Sequence, residues 1–213
     1  KIFFFVAPLT KTLMECLPKT ELKELKRRWD TEGVVCVRNA FDDHANMLAA
    51  AQNTPVFKDA RVPSRKSHCL DEDHPIAKGV YADKGVNRLY EHLHGYKMVG
   101  RHFPVEYRIY PENSSGMGAH SDLQMFDTPQ TEMVYTTHND STSTFYWHDS
   151  NERKHTIRPQ SNDLVLVRAS GPVHGVTRVE GGTRGIVKFV GHAPDATPSE
   201  SLAVQKAHCP SGH

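Results

Sequence analysis

The sequence predicts an α+β fold on two observations. Helix-start and helix-stop cues are confined to residues 10–103, and β-rich runs broken by Pro- and Gly-bearing turns fill residues 104–192. At 213 residues the chain is expected to form a single domain with a sizeable core. Its parts are a helical and strand support at 10–103, a β core at 104–192 and a loose tail at 193–213.

Within the support, Pro18-Lys19-Thr20-Glu21 opens a helix with Thr20 as candidate cap. Leu22, Leu25 and Trp29 share one face of it, and Gly33 lies beyond its end. The apolar run Gly33-Val34-Val35-Cys36-Val37-Arg38 reads as a strand, after which Asp42 or Asp43 caps a second helix through Met47, Leu48 and Ala51, ended before Pro55. Residues 56–86 read as irregular. His68, Cys69, Asp71, Asp73 and His74 bunch there without regular ligand spacing, so a solvated loop is favoured over a zinc site. Val86, Leu89, Tyr90 and Leu93 then fall on one helical face, which leaves His92 and His94 on the surface by default.

Composition limits the partners. With 26 basic against 25 acidic residues the net charge is +1, and the longest basic run is Lys26-Arg27-Arg28, so no nucleic acid is expected. The apolar stretch Ile2 to Leu9 is too short to span a membrane, and no membrane partner is expected. A chain beginning with Lys1 reads as a fragment or processed product. Cys16, Cys36, Cys69 and Cys209 form no C-x-x-C word, so they are expected to be reduced, which favours a cytoplasmic setting over the secretory pathway. The glycosylation words at Asn113 and Asn139 are close to background.

The chemistry concentrates between Tyr107 and Phe189. On an extended strand His120 and Asp122 of His120-Ser121-Asp122 would present an imidazole and a carboxylate to the same face. The word alone is weak, since 14 His and 13 Asp make about one such match by chance. A second match, His138-Asn139-Asp140, has turn-forming neighbours and reads as loop. The first has a better setting. A β-rich run, Val105 to Tyr110, precedes it, and another, Asp163 to Val167, precedes His174. Two His and one carboxylate on one face of a metal is the arrangement by which non-haem Fe(II) oxygenases hold iron. Ten residues after His174, past Gly181-Gly182, Arg184 opens a strand and can grip a carboxylate bidentately. Alternation puts Ile186, Lys188 and Val190 on the side of Arg184, and puts Arg108 and Glu106 on the side of Tyr110.

With these words in place, residues 104–192 resemble the catalytic core of the Fe(II)/2-oxoglutarate-dependent dioxygenases, most closely the prolyl-hydroxylase-like branch. Tyr110-Pro111 before His120, the turn Ile157 to Leu166 before His174, and the Arg184 spacing all carry the resemblance. It departs from the family at Tyr135 to Phe145, where a Leu-Asn pair and a Gly-Gly stretch are frequent, which puts substrate class in doubt. The resemblance implies a double-stranded β-helix, a cupin-like jelly roll with N-terminal helices packed on its larger sheet. It also implies Fe(II) held by His120, Asp122 and His174, with 2-oxoglutarate and O2 as cosubstrates and ascorbate as a reductant. Arg184 would bind the C5 carboxylate, and the phenols of Tyr110 and Tyr135 would assist. The expected reaction is hydroxylation, or a related oxidation, of a small molecule or peptide side chain, with release of succinate and CO2. Because Asp122 keeps its carboxylate, halogenation is disfavoured. The alternatives are a Zn or Mn hydrolase or isomerase, in which Arg184 would have no task, and a non-catalytic binding jelly roll. Inward Arg108 and Lys188 need anionic partners, and Glu106 alone would not satisfy both, so they are expected to bind a substrate carboxylate.

Overall fold

A computed structural model describes residues 17–59, 61–100 and 103–207, with side chains to residue 203. Helix α1 (Lys19–Glu32) is ended by Gly33 in the left-handed region, at φ 68° and ψ 12°. A side chain there would be strained, and its Cβ would sit 2.9 Å from Pro172 Cδ, so glycine fits this close approach. Strand β1 (Val34–Val37) and helix α2 (His44–Gln52) follow as the apolar patterns predict. Asp43 precedes α2 but accepts from the Asn46 side chain rather than from the helix backbone.

The segment 56–86 is more ordered than its composition foretells. It forms β2 (Phe57–Lys58), β3 (Lys66–Leu70) and α3 (Pro75–Ala82), whose cap is His74 Nδ1 accepting from the Ile76 amide. Helix α4 (Lys84–His94) has the expected apolar face, and Asp83 caps it through the Val86 amide. His94 is a correction to the surface reading. Its ring stacks on Tyr90 at 4.2 Å between centroids, meets the edge of Trp29, and pairs through Nε2 with Thr131 Oγ1 at 2.8 Å. Burial there pushes its pKa down to about 4.

The β core comprises β4 (Val105–Tyr110), β5 (Met117–His120), β6 (Thr131–Asn139), β7 (Phe145–His148), β8 (Lys154–Ile157), β9 (Leu164–Arg168), β10 (His174–Val176) and β11 (Arg184–Gly191). They form two antiparallel sheets. The larger has the order β1-β9-β6-β11-β4-β3-β2, and the smaller has the order β5-β10-β7-β8. The α+β double-stranded β-helix expected from the resemblance is therefore present. Strand β6 extends through His138 and Asn139, which corrects the loop reading of that word: Asn139 pairs with Arg184 of β11, and its amide donates to Ser143 O and Pro159 O.

Alternation divides the larger sheet into two faces. Tyr107, Met133, Tyr135, Leu164, Leu166, Val187 and Phe189 face the helical layer and pack with Trp29, Met47, Ile76, Leu89 and Leu93. At about 1.5–3 kcal/mol for each fully buried large apolar side chain, this layer fixes the helices to the sheet. The opposite face looks toward the smaller sheet, where Val34, Val165 and Val167 meet Phe145 and Trp147. The first part of the tail makes contacts. Phe126 bridges Pro198, Leu202 of helix α5 (Glu200–Ala207) is buried with Phe103, Met125, Phe126 and Val190, and the chain is packed at least that far.

Cys36 is free, with burial pushing its thiol up to about 11, but Cys69 is disulfide-bonded. This corrects the expectation of reduced cysteines throughout. Cys16, Cys209 and the run Ile2 to Leu9 lie outside the described residues. Among the described residues no helix is long and apolar enough to cross a membrane.

Candidate metal centre and cosubstrate pocket

His120 and His174 face one another across the β5–β10 ladder as Cα partners, which brings together residues 54 apart in the chain. Strand β5 ends at His120, so Asp122 sits in a non-strand segment rather than on the same strand face. It reaches the site nonetheless. One ligand atom from each of His120, Asp122 and His174 lies within 4.8 Å of the others. Asp122 Oδ2 is 3.2 Å from His174 Nε2, and its Oδ1 is 3.7 Å from His120 Nε2.

Each imidazole is oriented from behind. His120 Nδ1 lies 2.8 Å from Gly118 O and His174 Nδ1 lies 3.0 Å from Pro172 O. A carbonyl only accepts, so both Nδ1 atoms carry a proton and both Nε2 atoms are turned toward Asp122, the orientation a metal ligand needs. Burial also lowers the His120 pKa, which favours the neutral ring. Burial alone would raise the Asp122 pKa, but the Lys188 ammonium and the neighbouring His174 hold it well below the usual carboxylate range. The cluster is one carboxylate with two imidazole Nε2 atoms converging on it.

Arg184 is 1 % exposed, and its Nε and Nη1 have no hydrogen-bond partner among the described residues. Its strand neighbours are Tyr110 on β4 and Asn139 on β6, neither of them anionic. Burial pushes this guanidinium below its ordinary range. An arginine this buried is costly unless an anion meets it. Tyr110 lies beside it, packed with Val179 and Ile186, and receives a hydrogen bond from Arg65 Nη1 at 3.3 Å. Burial would raise the phenol pKa, yet Arg108, Arg65 and Arg184 together lower it.

Tyr135 is not in this pocket. Its register opposite Val187 turns it to the helical layer, where its hydroxyl is 2.5 Å from His44 Nδ1 and its ring meets the edge of Phe41. The alternation of β6 is the physical reason: Glu132 and Val134 look inward, and Met133 and Tyr135 look outward. The other inward counts hold. Arg184, Ile186 and Lys188 pair with Tyr110, Arg108 and Glu106 across the β11–β4 ladder.

Arg108 and Lys188 both have protein partners. Glu106 receives Arg108 Nε at 2.9 Å, Arg108 Nη2 at 2.7 Å and Arg61 Nη2 at 2.7 Å. Burial opposes its ionisation, but these arginines hold its pKa at about 2. Lys188 Nζ lies 2.9 Å from Glu132 Oε2 and 3.7 Å from Asp122 Oδ1. The charge argument for a substrate carboxylate therefore lapses, because Glu132 is the second acid that the sequence reading lacked. A Glu inside the run Thr131-Glu132-Met133-Val134-Tyr135 was its only signal. Asp59, which takes Arg65 Nε at 2.6 Å, was missed because its segment shows no strand periodicity.

The sequence matches no protein-family model and no curated protein. Solved structures do match. The epimerase SnoN in complex with Fe3+, alpha ketoglutarate and nogalamycin RO is 14 % identical, with 92 % of this chain and 93 % of that one covered at a TM-score of 0.74. An oxidoreductase of the 2OG-Fe(II) oxygenase family from Burkholderia pseudomallei is 13 % identical, with 79 % and 89 % covered at a TM-score of 0.65. A Pseudomonas putida prolyl-4-hydroxylase is 13 % identical, with 81 % and 98 % covered at a TM-score of 0.62. At these identities the likeness speaks for architecture. The chain has the double-stranded β-helix fold of the 2-oxoglutarate and Fe(II)-dependent oxygenases.

Proposed function

We propose that the protein is an Fe(II)- and 2-oxoglutarate-dependent dioxygenase that oxidises an unactivated C–H bond of a small molecule or a peptide side chain. The observation that carries this reading is the pairing of two features within one β-helix. Three ligand atoms converge within 4.8 Å, and a buried guanidinium with unmet donors lies on the same inward face of β11 as Lys188, which itself reaches Asp122. A Zn or Mn hydrolase accounts for the first feature and leaves Arg184 without a task.

The residues present fit both groups. His120 Nε2, Asp122 and His174 Nε2 would hold the iron, and Arg184 with Tyr110 would hold the distal carboxylate of 2-oxoglutarate. Bound there, iron with 2-oxoglutarate and O2 supplies the oxidising power for a strong C–H bond, with succinate and CO2 as coproducts. The chain's own contribution is orientation and dryness. The carbonyls of Gly118 and Pro172 fix the imidazoles, and Phe145, 5.6 Å from the His174 ring, begins the apolar wall formed with Trp147, Val165 and Val167. That wall excludes water behind the ligands.

Two exposed apolar residues adjoin the ligands in the chain: Leu123 follows Asp122 and is 63 % exposed, and Val173 precedes His174 and is 44 % exposed. Together with the internal pairing of Arg108 and Lys188, they support a substrate recognised by an apolar surface rather than by a carboxylate. The neighbour SnoN has a complex that contains nogalamycin RO, which supports the small-molecule part of the reading. The test is succinate formation by the purified protein with Fe(II), 2-oxoglutarate, O2 and ascorbate. Iron-dependent succinate is expected even without primary substrate, at a low uncoupled rate. Protein that binds Fe(II) yet neither binds nor consumes 2-oxoglutarate would refute the proposal.

A further inference from the structure

Asp122 is the one triad member without a strand to hold it, so something else must fix its position. The backbone from Ser121 to Met125 lies outside the β5–β10 ladder. Ser170 N–H donates to Asp122 O at 2.8 Å, and Ser121 Oγ donates to Gly171 O at 3.3 Å. Ser199 N–H donates to Met125 O at 2.9 Å, and the segment is also gripped by one fully buried side chain, Gln130, at 0 % exposure. Its Oε1 accepts from the Met125 amide at 2.6 Å, and its Nε2 donates to Leu123 O at 3.3 Å and to Glu132 Oε1 at 2.9 Å.

Glu132 continues the chain of contacts. It is 1 % exposed, it stands on the inward face of β6, and its other oxygen has the Lys188 ammonium at 2.9 Å. Lys188, from β11, reaches on to Asp122 Oδ1 at 3.7 Å. A single ammonium thus sits between two carboxylates in a dry interior. Without it they would face each other as like charges, and the Asp122 carboxylate would be pushed from its place.

We propose that Gln130, Glu132 and Lys188 are positioning residues that hold the Asp122 segment and its carboxylate in metal-binding geometry. Lys188 then acts on the metal through Asp122, rather than on the primary substrate. Gln130 clamps the backbone on either side of Gln124, and Glu132 anchors both Gln130 and Lys188 to the rigid larger sheet. Lys188 sets the direction of the carboxylate. Partners one step behind metal ligands typically change affinity by about 10–100-fold when removed.

The inference rests on the reading that His120, Asp122 and His174 bind a metal, and the test separates the two. Lys188→Met/Glu132→Gln removes both members of the buried pair together, which is close to neutral for folding compared with breaking it. Gln130→Met removes the clamp alone. Each protein is titrated with Co(II) by calorimetry without 2-oxoglutarate, the ligand-field absorption of the bound ion is recorded, and thermal melting verifies the fold. Both variants are expected to fold, to bind Co(II) about 10–100-fold more weakly, and to show an altered cobalt spectrum. Lys188→Arg, which keeps the charge, should recover much of the affinity. Wild-type Co(II) affinity and spectrum in the folded double variant would overturn the inference. A wild-type protein that bound no Co(II) would instead overturn the metal site.

Discussion

Arg184 makes a demand that can be measured with opposite signs in two states. The guanidinium is 1 % exposed, two of its three nitrogens lack partners, and its cross-strand neighbours carry no negative charge. Arg184→Met keeps an unbranched apolar stem and deletes the charge. In the protein without 2-oxoglutarate the substitution should be stabilising, by about 1–3 kcal/mol, because an uncompensated buried charge is removed. In a domain of this size that is a rise of about 2–10 °C in Tm. With 2-oxoglutarate the sign reverses. Losing one member of a desolvated charge pair costs about 2–5 kcal/mol, or about 30- to 4,000-fold in Kd.

Calorimetry with Mn(II) in place of iron reads the Kd, and melting with and without 2-oxoglutarate reads the linkage. At a hundred times its Kd the cosubstrate should stabilise the wild type by about 2.7 kcal/mol, or roughly 5–10 °C, and should leave the variant near its own baseline. Mn(II) binding should survive, since Arg184 touches none of the three ligands. Arg184→Lys should fall between, because a point charge replaces a planar fork. An unchanged 2-oxoglutarate affinity in Arg184→Met would refute the assignment, and a lower Tm for the free variant would refute the account of its burial.

His120→Ala, Asp122→Ala and His174→Ala are each expected to abolish iron-dependent succinate formation, whereas His138→Ala and Asp140→Ala, in the word that lies outside the triad, should leave it nearly intact. Tyr135→Phe should leave the Kd of 2-oxoglutarate unchanged in the same titration, and should lower stability by about 1 kcal/mol through loss of the hydroxyl contact to His44. His94 gives a pH dependence. Its pKa falls from 6.5 to about 4 on folding, so the unfolded chain binds the extra proton and stability is full above pH 6.5 and lost as pH falls toward 4. The loss is about 3 kcal/mol at most. His94→Phe, which retains the ring against Tyr90, should flatten that part of the curve of denaturant stability against pH.

Elements with a strong local period were legible and those made by distant pairing were not. Helices α1, α2 and α4 and strands β1, β4 and β9 stand where apolar spacing and Gly33 put them. Strand β3, Lys66-Ser67-His68-Cys69-Leu70, has no apolar alternation and exists because β4 pairs with it residue by residue. Asn139 reads as a turn residue because its side chain competes for backbone bonds, and here it satisfies Ser143 O and Pro159 O from within a strand. The clustering of His120, Asp122 and His174 was legible for a reason that half survives. His120 and His174 are ladder partners, but Asp122 arrives from beyond the strand end. Tyr135 was misplaced because phenols at either parity look alike in a sequence, and only the pairing with β11 fixes the face.

The substrate question turns on the same parity. Once β6 is placed with Glu132 inward, each inward cation the sequence singled out for the substrate has an acid of its own, Glu106 for Arg108 and Glu132 for Lys188. A substrate carboxylate entering this interior would have to displace one of those acids. Breaking a buried charge pair costs about 3–5 kcal/mol when one partner is stranded. Arg184 is the exception, and the proposed cosubstrate occupies it. In the proposed reading, selection of the primary substrate falls to contacts outside the paired interior, and Leu123 and Val173 stand exposed one residue from Asp122 and His174 in the chain. Apolar contact there favours shape over charge, so adding a carboxylate to a neutral substrate should not raise the succinate turnover it stimulates, and a carboxylated analogue that raised it would refute this reading.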